Sequence, residues 1–115
     1  MADRSLAEKR VFSYEEARSL LPFVHRLTEG AYREVQALQE AVDAGCLKID
    51  EAQAQADAVI ARWVEALHER GAVVKGAWLV DFDNGSGYYC WQYPEGGLDF
   101  YHSYEEGFRG RMRIQ

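Results

Sequence analysis

The sequence predicts an α+β fold, an antiparallel helical hairpin packed on a three-stranded antiparallel β-meander. Two observations carry this prediction. Apolar residues recur at helical spacing along two stretches of similar length, and from Ala77 onward the hydrophobic period changes to two, broken by Gly, Asn and Pro turns. A chain of 115 residues is the size of one domain. The helical part is expected over 13–71, the meander over 77–102, and a capped turn with an Arg-rich tail over 103–115.

Ser13 followed by Glu16 forms a capping box, so a helix begins at Tyr14. Pro22 has no amide to give mid-helix and predicts a short helix to about Leu20 with another from Pro22, or else a single kinked helix. The second carries Val24, Leu27, Ala31, Val35, Leu38 and Val42, the narrow seam of coiled-coil-like packing, and Gly45 stops it. Asp50 and Gln53 signal the next start. From there Ala52, Ala56, Val59, Ile60, Trp63, Val64 and Leu67 stripe one face up to a left-handed cap at Gly71.

Ala77–Phe82, Tyr88–Tyr93 and Leu98–His102 are the expected strands, with Asp83–Gly87 and Pro94–Gly97 as turns. Alternation assigns Trp78, Val80, Phe82, Tyr89, Trp91, Tyr93, Leu98, Phe100 and His102 to the helix-facing side. Leu79, Asp81, Tyr88, Cys90, Gln92, Asp99 and Tyr101 fall on the other. Ser103 and Glu106 then cap a single helical turn ended by Gly107.

Charge and composition restrict the partners. With a net charge of −6 and only Arg109, Arg111 and Arg113 as a basic cluster, the chain is not expected to bind nucleic acid. No window is apolar for long enough to span a bilayer, and the two cysteines, Cys46 and Cys90, form no CxxC, so a cytoplasmic protein with free thiols is expected. Two helices of about 30 Å carry more apolar stripe than strands of about 17–20 Å can cover. The surplus predicts a homodimer built on the seam.

Chemistry is expected in the carboxy-terminal third, which holds ten of the fifteen aromatic residues. The candidate ligand-binding residues are Asp81, Trp91, Glu95, His102, Arg109 and Arg111, an aromatic surface edged by charge that suits a small anionic or aromatic ligand. Glu95 and Arg111 are also suited to pair with each other and pin the tail. His102 and Glu95 as acid and base on an anionic substrate form the enzymatic alternative. The parity above puts Cys90 and His102 on opposite faces, so no catalytic residue is assigned and no metal or cofactor is expected. His25 and His68, on the helices, are read as packed or solvated.

Val80-Asp81-Phe82, Cys90-Trp91, Glu95, Tyr101-His102 and Gly107-Phe108-Arg109-Gly110-Arg111 together resemble the prokaryotic domain-of-unknown-function 2203 family. Phe12-Ser13-Tyr14-Glu15-Glu16-Ala17 and Leu20-Leu21-Pro22 resemble its opening. The sequence departs from the family's pattern at Asp83, at Tyr93-Pro94 and at Tyr101. The resemblance implies a bacterial type of protein but no activity.

Overall fold

Ser13 caps the first helix as its spacing to Glu16 predicts. Its hydroxyl accepts from the Glu16 amide, and the Glu16 carboxylate accepts from the Ser13 amide. In the computed structural model, which describes residues 10–115, helix α1 then runs unbroken over Tyr14–Asp43. Of the two readings at Pro22, the separate helices do not form and a single helix runs through it. Pro22 and Arg18 are both exposed, so the helix loses one hydrogen bond on its wet side, where water can take the orphaned carbonyl.

Gly45, at φ 77°, ends the turn after α1, where the Cys46 amide reaches back to the Ala41 carbonyl at 2.8 Å. Helix α2 spans Ile49–Glu69. Its N-cap is Lys48, with no side-chain bond, so the start read at Asp50 and Gln53 lies too late; Asp50 instead accepts from the Glu51 amide. Gly71, at φ 88°, supplies the left-handed cap.

The sheet has five antiparallel strands in sequence order, not three. They are β1 (Val73–Gly76), β2 (Leu79–Asp83), β3 (Gly87–Gln92), β4 (Phe100–Ser103) and β5 (Met112–Arg113). β1 and β5 are four and two residues long, too short for an alternation to be read from sequence. The capped turn after Ser103 stays a turn, although the Glu106 amide does donate to the Ser103 hydroxyl at 3.2 Å; one 3-10 turn follows at Phe108–Gly110.

Val80 stands opposite Trp91, and Phe82 opposite Tyr89, so the helix-facing side of β2 and β3 is as expected. Val80, Phe82 and Trp91 are buried against a core that includes Phe12, Leu21, Val24, Trp63 and Leu67. Thr28 accepts the indole N–H of Trp63 at 2.8 Å, which satisfies both polar atoms inside that core. Trp78 adopts φ 62°, costly for a tryptophan, while its ring packs on Trp63 and Tyr32 at 5.1 and 5.7 Å.

The faces of β4 are the reverse of those expected. Phe100 lies opposite Cys90, Tyr101 opposite Tyr89, and His102 opposite Tyr88. A Pro94–Gly97 turn would have set Tyr93 against Leu98. The observed register sets Phe100 rather than Tyr101 across from Cys90, and this one-residue slip carries every β4 side chain to the other side of the sheet. His102 and Phe100 therefore share the tail-covered face with Asp81 and Cys90, and Tyr101 moves to the helix side, where it is 37% exposed.

Trp91 is fully buried, so Trp91→Ala should cost about 3–5 kcal/mol of stability by denaturant unfolding. Tyr101→Ala should cost less than about 1 kcal/mol in the same assay, as a partly exposed position leaves little cavity.

Candidate functional site

Asp81, Cys90 and His102 meet beneath the tail, all buried, with one donor atom from each within 4.8 Å of the others. Strand pairing produces the cluster. β2 and β3 put Asp81 across from Cys90, and β4 brings His102 alongside through its pairing with Tyr88. The close approach of β4 needs Gly87, because a Cβ there would stand 2.5 Å from the His102 carbonyl oxygen.

The hydrogen bonds fix the histidine's protonation. Nδ1 lies 2.7 Å from the Ser103 carbonyl, which can only accept, so Nδ1 carries a proton and donates it. Nε2 lies 2.8 Å from Asp81 Oδ2, and a bond there requires one further proton between them. Whether that proton rests on nitrogen or oxygen, the pair is neutral overall, which is the form that burial favours. Burial raises the Asp81 pKa above its usual range, opposed by the nearby His102 charge, the Cys90 thiol and Lys75. Asp81 Oδ1 is buried and has no hydrogen-bond partner among the described residues.

Both nitrogens of His102 are thus engaged, and Asp81 sits between the imidazole and the thiol. The imidazole does not address Cys90, whose neighbour is the Asp81 carboxylate. Burial and the Asp81 carboxylate push its thiol up to about 12, partly offset by Arg111, so it is an inert thiol at neutral pH.

The tail covers this face through Arg111. Its guanidinium lies 4.0 Å from the Phe100 ring centre and 4.2 Å from that of Phe108, and it pairs with Glu95 at 2.9 Å. Glu95 is itself anchored, with its carboxylate accepting from the Gln92 amide and its carbonyl accepting the indole N–H of Trp91 at 2.8 Å. The ion pair expected from the sequence is present.

The six sequence candidates therefore divide. Asp81 and His102 form one buried cluster, joined by Cys90. Glu95, Arg111 and Trp91 form a second network that ties the tail to the β3–β4 connection. Arg109 is exposed and is not paired with Asp81. The acid–base pairing of His102 with Glu95 does not form, since each is bonded to a different partner. The reason given for expecting no Cys/His metal site also falls, because it rested on the opposite parity of β4.

A separate cleft of about 650 Å³ opens between α1 and the β3–β4 connection, lined by Tyr14, Arg18, Leu21, His25 and the segment from Gly96 to Asp99. His25 packs at a tilt on Trp91 and edgewise on Tyr93, each at 5.6 Å. Sequence reasoning missed this cleft. Its only signals were a histidine and an arginine seven residues apart on one helix face, followed much later by a Gly-Gly turn.

A comparison with protein-family models matches residues 10–114 to an uncharacterized conserved protein family, DUF2203. No curated protein and no solved structure matches the chain. No helix among the described residues is long and apolar enough to cross a membrane.

A thiol reagent at about pH 8 should label exposed Cys46 and spare Cys90 in the native protein. In Arg111→Ala the tail loses its clasp. Amide exchange should then quicken over 108–114 while the core is unchanged, and Cys90 should become labelled at a measurable rate.

Proposed function

We propose that this chain, which belongs to the uncharacterized conserved family DUF2203, is a binding module that takes a small anionic or aromatic ligand in the α1 cleft and works as a homodimer. One observation carries the first half of this reading. The polar groups of the tail-covered face are largely spent on one another, whereas the cleft presents Arg18, His25 and the turn backbone at Gly96 and Gly97 around an apolar floor of Leu21 and Leu98. Arg18 is exposed at the cleft mouth, and its contact with exposed Glu15 at 3.7 Å is easily traded for a ligand anion. The rings of Tyr14 and His25 offer a flank for a planar group. The binding reading is preferred over acid–base catalysis because His102 and Glu95, the groups that chemistry would need, are held apart by their own partners.

Benzoate serves as a probe that is both aromatic and anionic. At millimolar concentration it should shift the amide resonances of Gly96, Gly97 and Leu98, and Arg18→Ala should weaken the effect several-fold. Shifts scattered over the surface, or none, would remove the cleft from consideration.

The homodimer rests on the distribution of burial along α1. Its buried residues are Ala17, Leu21, Val24, Thr28 and Ala31, and none lies beyond Ala31. The apolar seam nevertheless continues through Val35, Leu38 and Val42, all half-buried. A helix of 30 residues is about 45 Å long, whereas strands of four to six residues span about 14–20 Å, so the sheet covers only part of the hairpin. A second copy laid along the far part would cover the rest. Light scattering at micromolar concentration should return twice the single-chain 13.1 kDa, and Leu38→Glu should return the single-chain value. A wild-type mass equal to one chain would refute the dimer.

A further inference from the structure

We propose that Asp81, Cys90 and His102 bind one divalent transition-metal ion of borderline softness, zinc or cobalt(II) being the chemical class that suits the donor set. An imidazole nitrogen, a thiolate sulfur and a carboxylate oxygen are together the ligand types such ions take, at about 2.0–2.3 Å each. Donor atoms that all lie within 4.8 Å of one another are within the range an ion at those distances can bridge with small side-chain movements.

Two further features of the cluster point to a ligand. Asp81 Oδ1 is fully buried and unpartnered, a state that costs free energy unless something fills it, and a second carboxylate oxygen is a ready additional donor. The histidine is also oriented from behind. Its Nδ1–H donates to the Ser103 carbonyl at 2.7 Å, which turns Nε2 toward Asp81 and Cys90, the arrangement that outer-sphere carbonyls give to metal-binding imidazoles.

The charge balance is favourable. The ion displaces two protons, one from the Cys90 thiol and one from the Asp81–His102 bridge. A neutral cluster becomes a divalent ion with one thiolate, one carboxylate and a neutral imidazole, again neutral overall. Burial therefore exacts no net charge for loading.

Because the three side chains are at most 2% exposed, the test loads the ion during folding. The full chain is unfolded under reducing conditions, refolded with one equivalent of cobalt(II) or zinc, and dialysed. One ion per chain is expected, with cobalt giving a thiolate charge-transfer band in the near ultraviolet and visible bands of four-coordinate intensity. Cys90→Ser should abolish the charge-transfer band, His102→Gln should reduce metal content at least tenfold, and Cys46→Ser should change neither. Should the buried variants fail to fold, the wild type decides: zinc should raise its thermal midpoint relative to chelator-treated protein. No retained metal, a charge-transfer band that survives Cys90→Ser or vanishes in Cys46→Ser, or an unchanged wild-type midpoint would overturn the proposal.

Discussion

The proton held between Asp81 and His102 sets the terms for the whole tail side of this sheet. Two ionisable side chains at that depth are tolerable only as a neutral, bonded pair, and a bond of 2.8 Å leaves little freedom in the spacing of β2 and β4. The strand between them is fixed in consequence. β3 opens with a residue that has no side chain, since Gly87 must let the His102 backbone pass. The pair must also be roofed, because water reaching it would separate the charges that burial holds together.

The roof is thin, and it works by stacking rather than by bulk. A short tail with few aliphatic groups cannot build a second core. Instead one guanidinium lies between two phenyl rings and ends in a carboxylate that the neighbouring turn has already immobilised. A planar arginine suits this role better than lysine, because it can stack and form directed hydrogen bonds at once. Trp91 connects the two sides of the sheet, with its ring in the helical core and its N–H on the Glu95 carbonyl of the turn that holds the tail. Damage to the turn is therefore felt in the core, and damage to the tail alone is not.

The helices and the central hairpin were legible because each is written in a local code. Ser13 with Glu16, Gly45 and Gly71, and the alternation of Val80, Phe82, Tyr89 and Trp91 depend on neighbours a few residues away. What escaped the sequence depended on distant partners or on a single residue of register. Pro22 reads as a break until its exposure is known, and β1 and β5 are too short to show a period. The faces of β4 turned on a single residue of register across the β3–β4 connection, which no propensity encodes. That error mattered most. Asp81 and His102 were candidates from the sequence and Cys90 was set aside on parity, and only the correct register makes the three a cluster. Glu95 and Arg111 were paired correctly because their chemistry, not their strand parity, suggested it.

The two-residue strand β5 limits how this sheet can pair with other extended chains. An open sheet offers its outermost backbone groups to any extended chain that drifts past, and β4, with Phe100 and Tyr101, would be an inviting template. Met112 and Arg113 occupy that edge, and the Ile114 amide closes on the Asp99 carbonyl at 2.8 Å. The replacement edge is too short to template anything and carries a charge. The last few residues thus act as a gatekeeper against strand addition, so a chain clipped after Gly110 would expose the full length of β4 and become prone to self-association through its sheet.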